Sequence, residues 1–301
     1  MPMKLIRAEH LGFCFGVRDA LKLAQSEAAE SPITVLGDLV HNNTVLADLH
    51  RQGVQVERDL EAVATQTVMI TAHGASRRRV DQVKARGHRV IEATCPLVHH
   101  AHQSLAGMVA RGYHPVVVGQ AGHVEVVGLT EDFTGADVVL SQQDIDQLQF
   151  RPRFGVISQT TQPVARVRAL VDYLRHRFPA SEVLFRDTVC QPTKLRQSAA
   201  ESLARQCDVV VVIGGAHSNN TRQLVQTCGQ FCTRVHHVQT AADLCPTWFR
   251  PEDIVGVTAG TSTPDILIHS VEQTLRHWDH DWSTAKESSV SSAPLLVEAL
   301  L

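Results

Sequence analysis

The chain is poor in everything that would send it to a membrane or to nucleic acid. No apolar run approaches the roughly 20 residues of a membrane span. The N-terminal MPMKLIRAEHLGF has no apolar segment long enough for a secretory signal, which points to the cytoplasm. Lys plus Arg total 28 against 31 Asp plus Glu, so no basic excess argues for a nucleic-acid partner, and a small ligand or another protein is the better expectation. No Pro-, Gly- or Ser-rich linker divides the 301 residues. The glycine-rich turns lack the lysine of a Walker motif. Seven cysteines, an odd number, sit in a chain expected to keep its thiols reduced, which favours metal or catalytic use over disulfides.

What is present is a three-fold repeat. Cys14, Cys95 and Cys190 each follow a short apolar run and precede a helix-like stretch, and they stand 81 and 95 residues apart. His41, His123 and Ser218 come 27, 28 and 28 residues later, and His73, Thr160 and Ser262 come 59, 65 and 72 residues later. One thiol per unit of about 90 residues marks an internal repeat whose thiols converge on a pseudo-three-fold axis. The pattern of eleven strands predicts parallel sheets in an α/β fold. These strands are Lys4–Ala8, Ile33–Leu36, Thr67–Thr71, Arg89–Ala93, Pro115–Gly119, Asp137–Leu140, Phe154–Ile157, Glu182–Arg186, Asp208–Ile213, Arg234–Val238 and Ile254–Thr258. Three α/β domains are expected at 15–95, 96–189 and 190–280, the last completed by 1–14, with a flexible or docking tail over 283–301.

Each cysteine falls near a helix start, which favours thiolate. Three thiolates suit an iron–sulfur cluster with one iron left open, or zinc with a histidine or water. Cys207, Cys228, Cys232 and Cys245 lack this context and read as core or surface thiols. His41, His73 and His123 end strands among small residues that let backbone approach a ligand, and protonated histidine suits phosphate. Ser218 with Asn220, and Ser262, lie in glycine–hydroxyl turns that serve either as helix caps or as phosphate cradles. With the three histidines they suggest a diphosphate. Glu125, two residues after His123, is either a solvated loop carboxylate or a proton carrier. Thr160, beside Thr161, either orients a substrate hydroxyl or caps the next helix.

Nine ordered motifs from about residue 4 to 278 carry a resemblance: GFCFGV, GDLVHN with the later QGV, TAHGAS, EATCPLV, GHVEVVG, SQTTQ, DTVCQPTKLRQ, GGAHSNNT and VTAGTSTPD. The chain resembles the 4-hydroxy-3-methylbut-2-enyl diphosphate reductase family of the methylerythritol phosphate route to isoprenoids. The resemblance implies a trefoil of three α/β domains around one [4Fe–4S] cluster held by Cys14, Cys95 and Cys190. It implies that His41, His73, His123, Ser218, Asn220 and Ser262 hold the diphosphate, that Glu125 delivers protons and that Thr160 positions the C4 hydroxyl. Electrons would come from a ferredoxin or flavodoxin-type donor, and the products would be isopentenyl and dimethylallyl diphosphate. The chain departs from the family's pattern at Val124, at the VHHAH after Cys95, and at His217 and Asn219. His217 would add a cation near the site, and Asn219 would replace a hydroxyl in binding the diphosphate. A divergent paralogue acting on another allylic or aryl compound, a zinc protein and a non-catalytic iron–sulfur sensor are the competing expectations.

Overall fold

A computed structural model describes residues 3–40 and 42–291, with only the backbone of Asn43 and of 280–291. His41 and residues 292–301 lie outside the described residues. Three four-stranded, all-parallel sheets organise the chain.

The first contains β2 (Ile33–Leu36), β3 (Val54–Glu57), β4 (Thr67–Ile70) and β5 (Arg89–Glu92), with α1 (Phe15–Glu30), α2 (Asn43–Arg51) and α3 (Arg77–Ala85) around it. The second contains β6 (His114–Val118), β7 (Asp137–Val139), β8 (Arg153–Ser158) and β9 (Glu182–Phe185), with α4 (Pro96–Ala110), α5 (Val124–Thr130), α6 (Gln142–Asp146) and α7 (Val164–Arg177). The third contains β10 (Val209–Ile213), β11 (Val235–Val238) and β12 (Ile254–Ala259), with α8 (Gln191–Ala204), α9 (Asn219–Gly229) and α10 (Asp265–Ser291). Its fourth strand is β1 (Lys4–Arg7), which pairs with β12 from Lys4↔Ile254 to Arg7↔Val257.

The strand order repeats. It reads β3-β2-β4-β5, then β7-β6-β8-β9, then β11-β10-β12-β1. Central strands are apolar on both faces, as in the fully buried VVVVI of β10 and ITVL of β2. Helices cover both sides of such a sheet, so alternation is lost and continuous β-branched runs replace it. Side chains also tie neighbouring sheets together. Ser76 Oγ donates to Glu131 at 2.6 Å, the Arg77 and Arg78 amides donate to Asp132, and Gln197 Nε2 donates to the Gln162 carbonyl at 3.1 Å.

Two expectations need correction. Among the described residues the sheets hold twelve strands, not eleven: β3 escapes the sequence pattern because VQVE is short and carries one fully buried residue, so an edge strand resembles a loop in sequence. Helix α10 runs through Ser291, so part of the stretch expected to be a flexible tail is helical; the rest is outside the described residues. Among the described residues no helix is long and apolar enough to cross a membrane.

Leu105 on α4 is fully buried among Met108, Tyr113, Val117, Leu129 and Ile157. Leu105→Ala should cost about 2–5 kcal/mol, read as a lower urea midpoint at unchanged slope.

Candidate active site

Each sheet sends equivalent loops to one centre. The turn after the fourth strand (β5, β9, β1) ends in Cys95, Cys190 or Cys14, and each cysteine is the N-cap of the following helix, α4, α8 or α1. None of the three uses its side chain to cap that helix. The Cys95 amide donates to the Ala72 carbonyl and the Cys190 amide to that of Thr160, both at 3.0 Å. The fourth-strand turn is thereby hung from the third-strand loop in both units.

The thiols come together. A side chain at Gly16, in the first turn of α1, would place a Cβ 2.7 Å from Cys95 Sγ, so this helix must be bare for Cys95 to lie beside Cys14's turn. Cys14 also acts electrostatically on both Cys95 and Cys190. Burial is the main cause that pushes both of those thiols up, Cys190 to about 11. Without metal these two are neutral near pH 7, and loading must release their protons. Among the described residues no three His, Cys, Asp or Glu side chains gather as ligands of one ion. Cys228 and Cys232, four apart in sequence, are buried in the core under β10 and offer their thiols to carbonyls instead.

A second set of loops follows the first and third strands. His73, His123, Thr161, Ser218, Asn219, Asn220 and Ser262 line one small cavity of about 30 Å³, roughly the share of one water molecule in the liquid. His123 and Ser218 are themselves N-caps, of α5 and α9. His123 Nδ1 accepts from the Glu125 amide at 3.1 Å, which leaves its ring proton to Nε2. The His73 and His123 rings meet edge to face at 5.7 Å. Asn219 Nδ2 donates to Thr161 Oγ1 at 3.4 Å, and Asn220 Oδ1 accepts from the Thr261 amide at 3.0 Å. Ser262 Oγ is buried without a partner, an orphan whose cost is otherwise unexplained. Gly260 packs so tightly on Thr221 that a Cβ there would stand 2.2 Å from the hydroxyl.

Glu125 sits between the two sets. It is 1% exposed, the second residue of α5, and it influences both Cys95 and Cys190. Its Oε1 accepts from the Thr160 amide at 2.6 Å and its Oε2 from the Thr160 hydroxyl at 3.0 Å. Burial raises its pKa to about 7, against the downward pull of those two bonds. The solvated-loop alternative for this residue is therefore excluded, and Thr160 is committed to the carboxyl rather than to capping α7, whose N-cap is Pro163.

His217 is exposed and does not line the cavity, so it is not the extra cation expected there. Val124 faces a separate open cleft of about 440 Å³. A cleft of about 580 Å³ between α3 and α4 likewise lies away from the converging hydroxyl and amide groups. Sequence reasoning gave no role to Asn42, whose side chain caps α2 beside His41, or to Arg196, which lies buried behind Cys14 and Cys190. Arg196 could have been found by aligning the three post-cysteine helices, where its counterparts are alanines.

Fold and site define an α/β protein in which three parallel sheets aim their strand ends at one centre, where three cysteine turns meet a cavity lined by histidine, hydroxyl and amide groups. The chain belongs to the LytB protein family, whose pattern matches residues 5–276. It is 36% identical to the 4-hydroxy-3-methylbut-2-enyl diphosphate reductase of Pelobacter propionicus over 273 residues, covering 89% of this chain and 96% of that one. The enzyme of the same name from Trichlorobacter lovleyi is 38% identical over the same coverage. Among solved structures, the E-1-hydroxy-2-methyl-but-2-enyl-4-diphosphate reductase of Plasmodium falciparum superposes with a TM-score of 0.83 at 26% identity, covering 89% of this chain and 86% of that one. A second, described as the terminal enzyme of the non-mevalonate pathway, gives 0.67 at 33% identity, covering 91% and 99%.

The raised Glu125 pKa has a signed consequence for stability. The folded carboxyl holds its proton up to about 7, whereas an exposed one releases it near the ordinary value of 4.5. Its favourable contribution is thus complete below about 4.5 and is lost as pH rises through about 7. Urea unfolding of the metal-free protein at a series of pH values should show wild type losing stability relative to Glu125→Gln across that window. A difference independent of pH would mean that the carboxyl ionises as it does in water.

Proposed function

We propose that this chain is an iron–sulfur reductase that removes the C4 hydroxyl of (E)-4-hydroxy-3-methylbut-2-enyl diphosphate, giving isopentenyl and dimethylallyl diphosphate. The observation that carries the reading is the position of Glu125. Its buried carboxyl is held by the Thr160 amide and hydroxyl, its amide donates to His123 at the polar cavity, and its charge acts on Cys95 and Cys190. A carboxylate among anion-binding groups repels a diphosphate unless it has a chemical task, and proton delivery is that task.

The donor set fits a cluster. Cys14, Cys95 and Cys190 are free thiols, one per sheet, and none is spent on its own helix cap. Three thiols on three separate chain turns offer one ligand each, as a cluster of several irons requires. A [4Fe–4S] cluster held by Cys14, Cys95 and Cys190 would supply Lewis acidity and two electrons, passed one at a time from a ferredoxin or flavodoxin-type donor.

The remaining chemistry belongs to side chains. His73, His123, Ser218, Asn219, Asn220, Ser262 and Thr161 hold the diphosphate together with His41. The first-turn amides of α9 add positive partial charge. Closed around the ligand, these loops exclude water. Thr160 orients the C4 hydroxyl and the Glu125 carboxyl together. Glu125 gives its proton to the departing oxygen, because hydroxide is a poor leaving group near neutral pH. The C4–O bond breaks, water leaves, and two electrons and a second proton complete the allylic fragment at carbon. A sensor protein would need neither the buried acid nor its threonine partner.

Anaerobically reconstituted protein with a strong reductant should convert the allylic diphosphate to the two five-carbon diphosphates. Stoichiometric iron and sulfide without turnover would overturn the proposal. Cys14→Ser, Cys95→Ser and Cys190→Ser should each lose most of the iron, while Cys228→Ser and Cys232→Ser should keep it. Glu125→Gln should keep iron and substrate affinity and lose about 10²–10⁴ in turnover. Wild-type single turnover should decline as pH rises through about 7 and the acid loses its proton. Competition by monophosphate, diphosphate and the plain alcohol separates the substrate classes: equal affinity for the alcohol would favour a paralogue acting on an unphosphorylated compound.

A further inference from the structure

Arg196 breaks the repeat at a buried position. It is the sixth residue of α8 after the N-cap Cys190, and the same place after Cys14 and Cys95 is held by Ala20 and Ala101. All three positions are buried, at 6%, 2% and 0% exposure, so a full guanidinium occupies in one unit what a methyl group occupies in the others.

The guanidinium crosses between chain segments 184 residues apart. Its Nη2 donates to the Gly12 carbonyl at 2.6 Å, and its Nη1 donates back to the Pro192 carbonyl at 3.0 Å. Nε is buried with no partner. Among the described residues no carboxylate pairs with it. Two neutral carbonyls do not compensate a buried cation, and removing an arginine from water costs several kcal/mol unless a negative charge answers it. The groups of opposite sign that act on Arg196 are the Cys14 and Cys190 thiols, which become thiolates when they bind metal, while Arg18 is a nearby like charge.

We propose that Arg196 is a positioning residue for the electron-carrying centre: a fixed, buried positive charge that clasps the Cys14 turn to α8, answers the charge of the Cys14 and Cys190 thiolates, and raises the reduction potential of the cluster they hold. It rests on the iron–sulfur reading above. Net charge and hydrogen bonding around a cluster set its potential, and an arginine supplies charge that cannot be titrated away. The charge is one-sided, since the Cys95 helix carries alanine at that place, so the surroundings of the three thiols are unequal although the backbone repeats.

The test compares full-length wild type, Arg196→Lys and Arg196→Gln after anaerobic reconstitution with iron and sulfide. Iron per chain and the midpoint potential, followed by absorbance and electron paramagnetic resonance, are the readouts, and circular dichroism of each metal-free variant checks folding. Arg196→Gln should become reduced at a more negative potential, and Arg196→Lys, which keeps the charge but loses the two-pronged reach, should stay close to wild type. Loading of the lysine variant with failure of the glutamine variant would support the same conclusion. Equal shifts in both variants would show a purely structural clasp and overturn the charge role, as would unchanged potentials in both. A wild-type chain that binds no iron would instead sink the iron–sulfur reading itself, and this proposal with it.

Discussion

Every functional contact in this fold depends on one packing constraint: three chain turns, each at the end of a sheet's fourth strand, must deliver a helix N-cap to a common centre. A parallel sheet makes this feasible because its strands all end on the same edge. The following helix begins where that edge stops. The third unit meets the constraint with a strand from the other end of the chain, since β1 occupies the edge beside β12 that β5 and β9 occupy in their own sheets. Cys14 is therefore placed by a pairing between residues 4–7 and 254–257. The ring of thiols closes only when the chain's first strand has found its penultimate element. Cys95 and Cys190 are placed by contacts within their own units, to Ala72 and Thr160, so assembly of the centre waits on the least local of its three supports.

Within that frame the charges are divided by depth. Histidines and hydroxyls of the first- and third-strand loops face one cavity. Behind them lies Glu125, whose pKa burial raises to about 7. In the proposed reaction the protonated carboxyl does not oppose a diphosphate, and it ionises on giving its proton away. The two hydrogen bonds from Thr160 favour the charged form, so the same threonine that fixes the carboxyl also eases its ionisation. The pull of burial and that of Thr160 are opposed, and their balance leaves the acid close to neutral pH, where proton transfer is most effective.

Much of this was legible in the sequence because it is carried by period and punctuation. The cysteine register, the apolar β-branched strands and the small-residue turns survive in one dimension, and they located the strand ends and the loops around the cavity. The edge strand β3 did not show, because four residues with one buried position carry little hydrophobic signal. His217 was misplaced by adjacency: it neighbours Ser218 in sequence, but the N-cap turn points Ser218 inward and leaves His217 in solvent. The solvated reading of Glu125 failed for the converse reason, since α5 carries its second residue beneath His123 into the interior. Arg196 was passed over because an arginine in a helix of mixed composition looks like a solvated face. Only depth distinguishes it.

The scaffold is three-fold but the chemistry is not, and the differences between units make the site work. A symmetric trio of loops would present a ligand with three identical faces and no way to tell its charged end from its reacting end. At the third-strand position the units carry histidine, threonine and serine; at the cap after the first strand they carry Asn42 beside His41, His123 and Ser218. Basic groups gather on the first and second units, and neutral hydroxyl and amide groups on the third. The acid appears only in the second, and the buried cation only in the third. Under the proposed function, a diphosphate bound across such a cavity takes one orientation, with its alcohol end toward Glu125 and the thiols. Repetition builds the centre with little sequence specification, and departures from the repeat give the ligand a direction.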